Sequence, residues 1–317
     1  MKKRTFLSAL ALGGIAPVGF TQPGEAPIRI IIPLGPGSPS DFATRIVAQA
    51  MAEELKRPIM IDNKPGANGW IAVQDLMRAK PDGNTLMLGG ISPVALNVAM
   101  FKNLSYDPRK DFTYIGGIYT AFQGYIVSSN LGVSTFPEFI AHAKKNPGKV
   151  SVGHYSALTK IQFAAISKLA DVQFLDVPYK AQAPATTDLM GGTVDATICD
   201  ISTAHSLAKG GKIKVIATSL EERSPLAQGT PPASEFIPGL TFPAWSGIIG
   251  PAGMPRDVVV KLNAGLNAAL RRKDTIAKLG ESAVQAWPTT PEELASYVDR
   301  EITRWVRLAG EAGIQPE

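Results

Sequence analysis

The sequence predicts an α/β protein of two lobes, and three observations carry that prediction. Short apolar runs alternate with amphipathic stretches from residue 27 onward. The alternation falls into two similar blocks, and a mainly helical section follows a proline-rich loop at residues 224–239. Strands and helices in strict alternation argue for a parallel sheet with helices on both faces.

Residues 28–32 are a run of isoleucine broken only by Arg29, which reads as a strand. Phe42, Ile46, Val47, Ala50, Met51 and Leu55 then recur at helical spacing. Residues 58–61 read as a strand and 70–79 as a helix ended by Lys80-Pro81-Asp82-Gly83. A strand at 85–88 and a helix at 93–101 complete the first block. The second block follows apolar runs at 114–118 and 125–127. It holds helices at 135–146, 157–170 and 184–190, with strands at 150–153, 174–177, 194–199 and 213–218. Residues 245–250 lead into helical patterns at 256–272, 275–279 and 291–312. The chain is expected to cross between lobes twice, near residues 124–127 and 244–249. In open α/β sheets ligands sit beyond the carboxyl ends of strands, which here means between the lobes.

The start of the chain is expected to be a leader and not part of the fold. Lys2-Lys3-Arg4 precede a 15-residue apolar run, Phe6 to Phe20, too short for a membrane span and typical of a signal peptide. Residues 1–26 are assigned to it. Lys3-Arg4-Thr5-Phe6-Leu7 is similar to a twin-arginine signal with one arginine replaced, and Sec export is the expected route. Removing Lys2, Lys3, Arg4 and Glu25 reduces the formal +5 to 29 basic against 26 acidic residues, about +3. The remaining cations are scattered, without the basic stripe that nucleic acid requires. Cys199 is the one cysteine, so no intrachain disulfide forms, and its apolar surroundings read as a buried thiol.

Several strand-to-helix turns carry the chemistry. In Ile32-Pro-Leu-Gly-Pro-Gly-Ser-Pro-Ser-Asp41-Phe42, Ser38 is placed as helix N-cap, Pro39 at the first helical position, and Asp41 reaching back to the Ser38 amide. The first-turn amides and the helix dipole there offer an anion site. Read alone, the turn is better explained by helix capping. The pattern recurs, however. Gly89-Gly90-Ile91-Ser92-Pro93 and Gly153-His-Tyr-Ser156 repeat it, and Lys180 to Pro184 places proline at the start of a fourth helix. Four such ends in facing blocks favour an anionic ligand. A nucleotide loop is poorly supported: Ser40 stands where the last glycine is needed, and no Gly-Lys-Ser/Thr follows.

Catalytic constellations are missing from the sequence. His142, His154 and His205 match no metal spacing, and no G-x-S-x-G elbow occurs. His154 has no paired nucleophile and reads as a contact or bystander. Trp70 and Trp245 are each read as pocket wall or core packing.

At these turns the chain resembles the Bug family, the periplasmic substrate-binding proteins of tripartite tricarboxylate transporters. Ile31-Ile32-Pro33-Leu34 through Asp41, with Arg45, is similar to the family's first ligand loop. Asp62-Asn-Lys-Pro-Gly-Ala-Asn-Gly69 is similar to its Asn-x-Pro-Gly-Ala-x-Gly turn. Pro81-Asp82-Gly83, Tyr106-Asp107-Pro108, Val177-Pro178-Tyr179-Lys180, Gly191-Gly192 and Pro251-Ala252-Gly253-x-Pro255 follow in the family's order. Three positions depart from it: Gly37-Ser38 replaces a Gly-Gly pair, Ser156 to Lys160 replaces a glycine-rich turn, and Trp70 replaces a smaller residue.

The resemblance implies a type II periplasmic-binding-protein fold. Each lobe would be a mostly parallel sheet flanked by helices, with the ligand cleft between lobes. Residues 27–124 with 250–317 form the first lobe and residues 125–249 the second. It further implies a small carboxylate ligand, no cofactor, membrane transporter subunits as partners, a monomeric receptor and no catalysis. A periplasmic enzyme or sensor partner on the same fold is the alternative. The ligand residues it implies are Gly35, Pro36, Gly37, Ser38, Pro39, Ser40 and Asp41 on one side. Tyr155, Ser156, Ala157, Thr159 and Lys160 stand on the other, with Ser92, Ala183 and Asp200 nearby.

Overall fold

The structure is a computed structural model that describes residues 26–311, 313 and 316. All of the expected leader but Ala26 falls outside the described residues.

In the first part of the chain β1 (Ile28–Ile32), α1 (Pro39–Leu55), β2 (Ile59–Asn63), α2 (Trp70–Met77) and β3 (Thr85–Gly90) alternate as expected. The expected helix after β3 is instead a wide π-type turn, Ile91–Leu96, running into the single turn α3 (Asn97–Met100). Two long strands follow, β4 (Phe112–Ala121) and β5 (Gln123–Ser128). The second block then runs α4 (Phe136–Lys145), β6 (Ser151–His154), α5 (Ala157–Ala170), β7 (Leu175–Pro178) and α6 (Gln182–Gly191). It ends with β8 (Ala196–Asp200), α7 (Ile201–Ala208) and β9 (Ile213–Thr218). Last come β10 (Ala244–Pro251), α8 (Arg256–Arg271), α9 (Lys273–Gly280), β11 (Gln285–Ala286) and α10 (Pro291–Glu311). Pro184 is the third residue of α6, not the first.

The strands form two sheets, ordered β11-β4-β10-β3-β1-β2 and β7-β6-β8-β5-β9. Four strands share one direction in each sheet, β1 to β4 in the first and β6 to β9 in the second, and the long strands β10 and β5 run against them. Parallel pairing joins β1 to β2 and β3, and β6 to β7 and β8. Strand β10 is antiparallel to β3 and β4, and β5 is antiparallel to β8 and β9. The cause is the direction of chain travel. Strands β3 and β4 run toward the cleft, whereas β10 re-enters the first sheet from the second and runs away from it. Strand β5 does the same in the second sheet, against β8 and β9. Because β10 pairs along its length with β3 and β4, residues 244–249 join the first sheet and not the second lobe.

The chain passes from one sheet to the other at Phe122, and returns between Thr218 and Ala244. The two passages are stitched together. The Ser219 amide donates to the Gln123 carbonyl at 2.9 Å, the Gln123 amide to the Ser219 hydroxyl at 2.9 Å, and the Phe242 amide to the Ser219 carbonyl at 2.7 Å.

Burial on both faces explains the isoleucine run of β1: Ile28, Ile30 and Ile32 pack with α1 and α8, and Ile31 packs on the opposite side. Helix α10 buries Leu294, Val298, Ile302, Trp305 and Leu308, one stripe of an otherwise polar helix. The stripe joins a core shared by the first sheet and α4 and α5 of the second block. Glu301 is buried within it. Its carboxylate accepts from the indole N–H of Trp305 at 3.0 Å and of Trp245 at 3.2 Å, and pairs with Arg304 at 3.1 Å. Arg304 in turn lies 5.0 Å from the ring centre of Phe242, in the returning passage. Cys199 is buried and free, its thiol pushed up to about 12 by burial and the charge of Asp200.

Replacing Glu301 with alanine leaves two buried indole donors and Arg304 without their acceptor. A loss of about 3 kcal/mol is expected, read as a lower urea midpoint. Glu301→Gln keeps a carbonyl acceptor and should lose less. Equal midpoints for wild type and Glu301→Ala would remove α10 from the account of how the two passages are held.

Candidate functional site

The loop after β1 is built on one carboxylate. Ser38 is the N-cap of α1, and its hydroxyl accepts from the Asp41 amide at 3.2 Å. Asp41 does not reach back to Ser38; its Oδ2 accepts from the Gly37 amide at 2.9 Å, one residue earlier. Gly37 has φ +78°, so the turn needs glycine there. Asp41 is buried and also accepts from Arg45 Nε at 3.0 Å and from Asn63 Nδ2 at 2.9 Å. Asn63 Nδ2 also donates to the Leu34 carbonyl at 3.0 Å, which fixes the far side of the loop. Burial opposes the charge on Asp41. The hydrogen bonds from Arg45, Gly37 and Asn63, with the arginine's charge, outweigh it and hold the carboxyl below the usual carboxylate range.

Beyond the carboxyl ends of β1 and β3 lies a cavity of about 470 Å³. From the first loop it is walled by Pro33, Leu34, Gly35, Pro39 and Ser40; Pro65, Gly66, Asn68 and Gly69 come from the turn before α2. Gly89 to Pro93 follow β3, and Tyr119, Trp245 and Ser246 form its sheet side. The second lobe contributes Leu158 from α5 and Asp200 from the end of β8. The amides of Asp41 and Phe42 are taken by Ser38, and Pro39 has no N–H. Ser40 therefore carries the first-turn amide that the cap does not use. Its hydroxyl stands in the same wall.

Five residues expected from the sequence line this cavity: Gly35, Pro39, Ser40, Ser92 and Asp200. Ser92 stands in the π-type turn and caps no helix with its side chain. Pro36, Gly37, Ser38 and Asp41 are outside the wall, and the last three form the scaffold described above. On the second lobe, Ser156 and Thr159 close a reciprocal capping box. The Ser156 hydroxyl accepts from the Thr159 amide at 3.2 Å, and the Thr159 hydroxyl accepts from the amides of Ser156 and Tyr155 at 3.1 Å. Tyr155 donates its hydroxyl to Gln182 Oε1 at 3.0 Å. Lys160 is exposed, Ala157 opens α5, and Ala183 stands in the first turn of α6, whose N-cap Ala181 has no side chain to cap with. Burial pushes the Asp200 carboxyl upward, against the hydrogen bond from Gln182.

His154 Nε2 lies 3.1 Å from Asp176 Oδ2 on the neighbouring strand, with no nucleophile beside it. Trp70 packs edge-on against Phe101 and Tyr106 and is not part of the wall, whereas Trp245 is. Among the described residues no cluster of His, Cys, Asp or Glu has the geometry to hold a metal. Also among them, no helix is long and apolar enough to cross a membrane.

The turn before α2, Tyr119 and Ser246 escaped the expected site. The turn was legible in Lys64-Pro-Gly-Ala-Asn-Gly69: Gly66, Ala67, Asn68 and Gly69 all have positive φ, which that composition tolerates. An added Cβ on Gly69 would come 3.1 Å from Pro93 and 3.2 Å from Pro33, so glycine there also lets the loops meet. Tyr119 carried no such signal, because it sits inside an apolar run.

The chain matches the family described as "Tripartite tricarboxylate transporter family receptor" over residues 43–314. A UPF0065 protein of Bordetella bronchiseptica is 31% identical over 267 residues, covering 83% of this chain and 79% of that protein. An R. palustris protein solved with adipate superposes with a TM-score of 0.78 at 27% identity, over 92% of this chain and 99% of its own. MatC from Rhodopseudomonas palustris, solved with bound malate, gives 0.72 at 29% identity over 90% and 99%.

Two substitutions separate scaffold from wall. Ser38→Ala should lower stability by about 1 kcal/mol and leave ligand affinity unchanged; a comparable loss of affinity would make the hydroxyl a contact. Asp41→Asn should lower stability by about 2 kcal/mol at pH 7. Because the folded-state carboxyl is depressed, the stabilisation is complete above the unfolded value near ~3.9. It is lost as pH falls through the folded value. The two urea midpoints should therefore keep their gap down to about pH 4 and converge only below it; a gap that stays constant as the pH falls further would remove the charge from the argument.

Proposed function

Because the chain belongs to the tripartite tricarboxylate transporter receptor family, we propose that it is a periplasmic receptor that captures a small carboxylate between its lobes. It then delivers the acid to the membrane subunits of such a transporter. The observation that carries this reading is the cavity itself. It lies beyond the ends of β1 and β3 and is faced by Asp200 and Leu158 from the other lobe. Its volume, about 470 Å³, lies in the range of small-molecule sites.

The first lobe supplies most of the wall, so a ligand docks there first. A carboxylate at the start of α1 meets the Ser40 amide and hydroxyl and the positive end of the helix dipole. Ser92 offers a second hydroxyl. Closure brings the 155–160 loop and the first turn of α6 over the ligand, and the paired passages at Phe122–Gln123 and Ser219 are where the backbone bends. A ligand that touches both lobes only in the closed state shifts the population toward it, by no more than its differential affinity for the two. The two R. palustris relatives solved with adipate and with bound malate support an acid as cargo. The receptor works as a monomer and performs no covalent step.

A thermal-shift screen over mono-, di- and tricarboxylates tests this. An acid at ~100 Kd should add about 2.7 kcal/mol of stability and be recovered chemically unchanged. Stabilisation by neutral or cationic solutes, with none from any acid, overturns the reading.

A further inference from the structure

We propose that Gln123, Gln162 and Tyr155 are positioning residues for capture, although none of them lines the cavity. They tie the ligand-facing parts of the second lobe to the strand that starts at the first passage, so that those parts follow the bend as one unit. The inference rests on the receptor reading above and concerns how closure is carried to the bound acid.

A glutamine pair occupies positions where the core of the second lobe otherwise takes apolar side chains. Gln123, Tyr125 and Val127 share one face of β5, and the latter two pack in the core with residues of α4 and α5. Gln162 lies on α5 between Ile161 and Phe163, both buried. Gln162 is itself fully buried, and Gln123 nearly so. Gln162 Nε2 donates to Gln123 Oε1 at 2.7 Å, while Gln162 Oε1 has no partner among the described residues. Burying amides is unfavourable unless every polar atom is bonded. An apolar pair of the same length would fill this space without an orphaned acceptor, and such exchanges are often neutral or stabilising. Stability therefore does not account for the pair. Its location does suggest a role: Gln123 is the residue whose amide and carbonyl are bonded to Ser219 of the returning passage.

From the pair a polar chain runs to the cavity. Gln123 Nε2 donates to the Tyr155 hydroxyl at 3.5 Å, and that hydroxyl donates to Gln182 Oε1 at 3.0 Å. Gln182 in turn hydrogen-bonds the carboxyl of Asp200, which stands in the cavity wall. Because Gln182 Oε1 is already taken, its amide nitrogen is the donor to Asp200. Every link from Gln162 to Asp200 thus donates in the same direction, and bonds in such a chain polarise one another. Tyr155 precedes the N-cap of α5, Gln182 opens α6, and Asp200 ends β8 in register with Gln123. The capping box of Ser156 and Thr159 holds the loop to its own helix, but not to β5. The chain supplies that second attachment. A loop already fixed to the moving sheet has little freedom to lose when the acid arrives, which favours tight capture.

The test is the double variant Gln123→Met with Gln162→Met, made in the full mature chain. It removes both amides together and keeps side-chain length. Its melting temperature should equal or exceed that of wild type. Hydrogen exchange at the bonded amides of Tyr155, Ser156 and Thr159 should nevertheless quicken at least about fivefold in the ligand-free protein. Propionate, malate, adipate and citrate are then titrated calorimetrically. Whichever of them binds wild type should bind the double variant about tenfold more weakly, through faster release. A merely structural pair would instead lower the melting temperature and leave the loop amides and the affinity as they were. Tyr155→Phe breaks the middle link, and should quicken the same amides and weaken the same acid; it decides the matter where the double variant fails to fold. Unchanged exchange at the loop, or quickened exchange with unchanged affinity, overturns the inference and leaves the receptor reading standing. Failure of both variants to fold overturns it too, by making the chain structural. If none of the four acids binds wild type, the receptor reading falls and the inference with it.

Discussion

The carboxylate of Asp41 gathers the Gly37 amide, the Arg45 guanidinium and the Asn63 side chain within 3.0 Å, and the first wall of the cleft depends on that convergence. The loop from Pro33 to Ser38 contains little that would hold it in place by apolar burial. A buried charge must be compensated, and here the compensating donors come from the loop, from the helix it starts and from the neighbouring strand. Satisfying the charge therefore fixes the loop. Pro33, Gly35 and Ser40 then face the cavity, although the residue that places them there does not line it.

A second constraint is the direction of chain travel. Two sheets joined by two passages require one strand in each to run away from the cleft, which makes both sheets mixed. Strand β10 is interior in the first sheet, whereas β5 lies next to the edge strand β9 of the second, so both passages meet the second sheet at its β5–β9 side. Residues Gln123, Ser219 and Phe242 bind the passages to each other. Helix α10 steadies the return through Glu301, Trp245 and Arg304 while packing on both blocks. The two passages are the positions at which the proposed closure would bend the backbone.

Much of this was legible in the sequence. Short apolar runs marked strands in both blocks, and the Ser38-Pro39 signature marked the start of α1 to the residue. What was not legible depends on contacts between distant segments. Parallel and antiparallel strands share one composition, so β10 was assigned to the wrong lobe. A hydroxyl at a helix start serves a cap or a ligand equally well, and only the geometry shows that Ser38, Ser156 and Thr159 direct their bonds to helix caps. Tyr119 was invisible for the opposite reason: within an apolar run a tyrosine reads as core, and its place in the cavity wall emerges only once β10 and β3 lie beside it. The turn at Gly66 to Gly69 was readable as a motif, but its place in the cavity wall follows from the packing of Gly69 between Pro33 and Pro93.

The cavity that results holds amides, hydroxyls and one acid, with no cation in its wall. Anion capture in such a site relies on fixed dipoles and on exclusion of water at closure, not on ion pairs. The most direct measurement is a crystal structure of the protein with the tightest-binding acid from the screen. The account predicts a carboxylate between the lobes, with one oxygen at the Ser40 amide and the 155–160 loop closed over it. An acid bound outside the cavity between Gly35–Ser40 and Asp200, or bound there with the lobes unmoved, would contradict it.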